Sequence, residues 1–155
     1  MTAAGHGRPF EILRIPDNLL RAPLDYILAD HFRQLKVCGF LEDLVAHPTR
    51  EGTGSRADAI RNFLESDSPL HVADEEEDLF PSLRNRCAEE DGIDEVLDEL
   101  ADNHAADERS AKPVIEGLVR ISAGTLARTP RNFGLGALTL TANKRRTWPR
   151  CRRKS

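Results

Sequence analysis

Three stretches of this 155-residue chain repeat apolar residues with a helical period, and a histidine interrupts each stripe near its middle. From Pro23, a residue suited to a first helical turn, Leu24, Leu28, His31, Leu35 and Cys38 recur at steps of four and three, and His47-Pro48 ends the helix at about Ala46. After the turn-rich segment 48–54, Ser55 is placed to cap a second helix with inner stripe Ile60, Leu64, Asp67, His71 and Glu75. Pro81 is a potential kink, and the pattern continues to about Cys87. A third helix is expected after Asp91-Gly92, with Leu97, Leu100, His104, Glu108, Ala111, Ile115 and Leu118 on one face, a bend at Pro113 and a stop at Gly124. Thr129-Pro130 begins a fourth, with Phe133, Leu135, Leu138 and Leu140, which Pro149 ends at the latest. Long helices joined by short turns pack most simply as an all-α, antiparallel up-down four-helix bundle. The fourth helix is expected to be short or incomplete. The expected organisation is an N-terminal segment at 1–20 packing on the bundle, the bundle at 21–142 and a basic tail at 143–155.

Charge divides the chain unevenly. The formal net charge is −4, but 143–155 holds seven bases and no acid, which leaves −11 on the rest. Between Glu65 and Glu108 lie 17 of the 26 acids and only two bases, Arg84 and Arg86, so this stretch repels a phosphate backbone and argues against nucleic-acid binding. There is no apolar run of about 18 residues, and the start lacks the basic-then-apolar order of a secretory signal, so a cytoplasmic protein without a membrane span is expected. Cys38, Cys87 and Cys151 are widely spaced and odd in number, which suggests no disulfide framework. Cys38 and Cys87 read as small buried apolar residues.

The interrupted stripes carry the chemistry. Residues i and i+4 of a helix share a face about 6 Å apart along the axis, so His71 with Glu75, and His104 with Glu108, can each aim two ligands at one interior point. His31 adds a fifth donor. A lone buried histidine is more often a hydrogen-bonded core residue, and the run Glu75-Glu76-Glu77 by itself reads as a wet face. Five such residues at the inner positions of three consecutive helices are harder to explain that way. Buried imidazoles and carboxylates require partners, and a bound cation would satisfy all of them together. Asp74 and Glu76, flanking Glu75, are candidate acceptors behind the ligands. A His/carboxylate set without Cys suits iron or manganese better than a sulfur-ligated metal and is compatible with zinc.

The order His31, then H-V-A-D-E-E-E-D-L-F-P beginning at His71, then N-H-A-A-D-E containing His104 and Glu108, resembles the hemerythrin-like (HHE cation-binding) domain, in its bacterial form, over residues 20–142. The resemblance implies a four-helix bundle with a non-haem di-iron centre. By position, His31 and His71 would bind one iron, Glu75 would bridge, and His104 would bind the second. Glu108 stands where family members carry His or Glu. The family's fourth helix supplies a further His and carboxylate, whereas this chain has no His after His104 and no Asp or Glu after Glu116. A shifted reading frame or truncated gene model from about Thr147 would account for that, as would a genuine basic tail that meets an acidic partner or nucleic acid.

Three functions follow as expectations. The first is a binding or sensing protein for O₂, NO, peroxide or iron, with a small diatomic or peroxide ligand as its partner. The second is a di-iron oxidase or ferroxidase-like enzyme on the same carboxylate-rich site. The third is a metal-free helical interaction domain, should the fourth-helix ligands be truly missing.

Overall fold

The structure, a computed structural model, describes residues 10–124. Among these residues all regular structure is helical, with α1 at Pro23–Ala46, α2 at Thr53–Asn62, α3 at Ser68–Ala73, α4 at Phe80–Arg86 and α5 at Ile93–Ser122. The expected fourth helix and the basic tail lie outside the described residues. No described helix is long and apolar enough to cross a membrane.

The expected second helix is helical at every residue from 53 to 86, but in a more varied form than its periodicity suggests. Two π-helical segments, Phe63–Asp67 and Asp74–Leu79, separate α2, α3 and α4. Each ends two residues before a proline, Pro69 in the first turn of α3 and Pro81 in the first turn of α4. The pyrrolidine ring removes an N–H and crowds the carbonyl four residues back, so a widened turn at that point absorbs the conflict. The helix begins at Thr53 rather than at a Ser55 cap. Gly52 (φ 79°) holds the N-cap position in the left-handed region, and the Ser55 hydroxyl donates back to its carbonyl at 2.9 Å.

The 24-residue α1 has the expected bounds but buries a different face. Ile27, Asp30, Val37, Leu41 and Leu44 are buried, whereas Leu24, Leu28 and Leu35 of the expected stripe are exposed. The helix is apolar on two neighbouring faces about 100° apart, and only the buried one runs on to its C-terminal end. His31 lies at the border and is half-buried. At the far end of the chain, α5 spans 30 residues and passes through Pro113 without interruption. Gly92 (φ 61°) sets its start, following a 3-10 turn at Glu89–Asp91.

The described chain forms two compact units, residues 10–63 with 116–124, and residues 64–115. In the first, α2 packs on α1, and Arg56 of α2 reaches Asp43 of α1 at 2.6 Å. Ala57 and Ile60 of α2 are fully buried, and Arg33 stacks its guanidinium 4.9 Å over the ring of the buried Phe63. In the second, Phe80, Cys87, Ile93 and Leu97 form the core, flanked by Leu79, Leu83, Leu100 and Ala101. Full burial of a side chain such as Phe80, Ile93 or Leu97 contributes about 1.5–3 kcal/mol over its exposed state. Cys87 is buried in this core, as expected. Arg84 spans from α4 to α5, with Nη1 at 2.7 Å from Asp94 and Nη2 at 2.6 Å from Asp98.

Candidate metal centre

The second unit gathers the strongest candidate ligands. His71, on α3, and Glu75, in the π segment that follows, are 6% and 5% exposed, and with Asp30 they are the buried polar or charged residues among those described. Their i, i+4 spacing brings Nε2 of His71 to 3.6 Å from Oε1 of Glu75. From α5, His104 directs its Nε2 to the other oxygen, Oε2, at 3.2 Å. One buried carboxylate therefore presents each oxygen to a different imidazole.

His104 is held on three sides. Its Nδ1 lies 2.8 Å from Oε1 of Glu76, and its ring stacks on the buried Phe80 at 6.0 Å between centroids and 13° between planes. Hydrogen bonding to Glu75 is the largest influence on its pKa and raises it. Burial opposes this, and the bond to Glu76 and both carboxylate charges reinforce it. Asp107, half-buried one turn along α5, has its carboxyl raised by burial, against the attraction of His104. Glu76 is therefore the partner of the far ring nitrogen of His104. The stack by Phe80 is not visible in helical spacing, because it depends on how α4 meets α5.

Glu108 is exposed on α5 and lies outside the contacts that His104 makes with Glu75 and Glu76. Asp74 is half-buried in the same π segment as Glu75. His31 belongs to the first unit, on α1. The expected contributions of the fourth helix fall outside the described residues.

The donor set fits a cation. Imidazole nitrogens and carboxylate oxygens without thiolate form a borderline-to-hard site. A buried carboxylate that faces two imidazoles is also what a positive charge would stabilise, since it replaces the hydration lost on burial. Hydrogen bonding of the far ring nitrogen of His104 to Glu76 orients the imidazole and strengthens it as a donor.

Comparison with curated proteins and with solved structures finds no match. The description "Hemerythrin HHE cation binding domain" matches residues 22–131, most of the chain and all of the ligand-bearing helices. With that match and a His/Glu site in its core, the chain belongs to the hemerythrin HHE cation-binding domain family.

Proposed function

We propose that this chain is a non-haem iron protein of the bundle-forming, antiparallel four-helix type, and that its di-iron centre binds or senses O₂, NO or peroxide. The observation that carries the reading is Glu75: its two buried oxygens face His71 and His104 separately, the arrangement a bridging carboxylate needs. His31 on α1 would be a further donor, by its place in the family's pattern. His104 and Glu108, both on α5, complete the proposed ligand set.

Bound iron would supply the redox chemistry that binding a small diatomic ligand needs. The protein's part is to hold and shield it. The Glu75 carboxylate offsets cationic charge, Glu76 fixes the His104 ring, and Phe80 covers one face of that ring. The Phe80–Leu97 core keeps bulk water from this side of the site. His104 would have to give up the proton it shares with Glu75 to serve as a ligand, so metal uptake would release protons and strengthen with rising pH.

Metal analysis of the full-length protein, after anaerobic Fe(II) loading, tests the reading. About two irons per chain, a rise in melting temperature on loading and a visible band that appears with O₂ and disappears on its removal are expected. Under about a tenth of an equivalent of bound metal, with an unchanged melting temperature, would refute metal binding. Fe(II) oxidation that continues over many equivalents would move the protein to the ferroxidase class instead.

A further inference from the structure

The first unit contains a second site whose chemistry is unlike that of the metal centre. An open cavity of about 490 Å³ is lined by Phe10, Lys36, Gly39, Phe40, Asp43, Arg50 and Arg56. Its α1 wall follows from spacing: Lys36, Gly39, Phe40 and Asp43 fall at steps of three and four and share one face of the helix. We propose that this cavity binds a small aromatic anion, a planar ring carrying a phosphate or carboxylate group.

Charge complementarity gives the sign of the ligand. Three cations, Lys36, Arg50 and Arg56, line the cavity with a single carboxylate, Asp43. That carboxylate is already shared: Oδ2 lies 2.6 Å from Arg56 and 3.5 Å from Arg50, and Oδ1 lies 3.1 Å from Nδ1 of His47. The cavity therefore carries a positive excess that an anionic group can occupy, with guanidinium forks suited to its oxygens.

The apolar part gives the shape. Phe10 and Phe40 meet edge to face, with centroids 4.7 Å apart and planes at 85°, and Arg56 lies 5.5 Å from the Phe10 centroid. Such a corner offers one ring face and one ring edge to a flat guest. Gly39 opens the space beside it: a Cβ added there meets no atom within 4 Å. A glycine inside a helix is unfavourable relative to alanine, so a small residue here is consistent with selection for an open notch rather than for helix stability.

Phenyl phosphate is the probe, and inorganic phosphate and phenol represent its two halves. In titration calorimetry of the full chain, phenyl phosphate should bind one to one, at least about tenfold more tightly than either half. The affinity should be the same with and without loaded iron, which keeps this result separate from the proposed function. Lys36→Glu, at an exposed position, should weaken binding by about tenfold or more. Gly39→Leu should abolish binding while the helical circular dichroism and melting temperature are retained. Failure of phenyl phosphate to saturate, equal binding of inorganic phosphate, or an unaltered affinity in Lys36→Glu would each overturn the proposal.

Discussion

The segments 71–75 and 104–108 are written the same way, His-x-x-x-Glu, yet they do different things. In the first, the glutamate is buried and lies against its own histidine at 3.6 Å. In the second, the histidine turns to Glu75 and Glu76 on another segment, and Glu108 is exposed. Spacing along a helix permits a pair, whereas packing decides which pair forms. The neighbours supply the reason: Glu75 lies in a widened turn that directs it inward, while Phe80 and two carboxylates hold His104 away from its own helix partner.

Glu75 and Glu108 should therefore differ sharply when removed. Glu75→Ala is expected to eliminate metal binding, because both imidazoles lose their shared carboxylate, while Glu108→Ala should lose at most one of two irons. Metal content after Fe(II) loading measures both, and equal losses would erase the distinction drawn between the two segments. Phe80→Ala comes next. Truncating this buried ring should destabilise the protein by about 3–5 kcal/mol in urea unfolding and loosen the clasp on His104. Phe80→Leu, which keeps volume but not the stack, should cost less stability while still altering the His104 ring resonances.

A smaller effect depends on pH. The pKa of His104 is raised in the folded, metal-free protein, so the stability it contributes is fully present below the ordinary imidazole value of 6.5 and is lost as pH rises through the folded value. Urea unfolding of metal-free wild type and His104→Gln should show the wild-type advantage shrinking toward alkaline pH. A difference that stays flat across that range would mean that the two carboxylates do not hold the charged ring. The smallest effect expected is that of Glu108→Ala on metal-free stability, within about 0.5 kcal/mol, as for an ordinary surface substitution.

Much of this was legible before any coordinates. Proline and glycine punctuation gave both ends of α1 and the start of α5, because Pro23, His47-Pro48 and Gly92 act through local backbone geometry. The pairing of His71 with Glu75 followed from helical rise, whereas the contact of Glu76 with His104 did not, because it joins two separate helical segments. The buried face of α1 did not follow. Leu24, Leu28 and Leu35 satisfy the same period as Ile27, Val37 and Leu41, and only packing separates the two stripes. The meeting of His104 with Glu75 spans 29 residues, and a period confined to one helix carries no information about it. The cationic cavity of the first unit was hidden for a similar reason, since its residues come from the N-terminal segment, α1, the following turn and α2.

The π segments bear on how this chain is aligned with others. A widened turn is the form a helix takes when one extra residue is accommodated without turning the flanking faces. The π segment Asp74–Leu79 therefore counts as one residue longer than the axial distance it covers. A relative with a regular helix here would align correctly only with a one-residue gap inside the run. An ungapped alignment would pair Phe80 and Pro81 with the wrong neighbours while leaving His71 correctly matched.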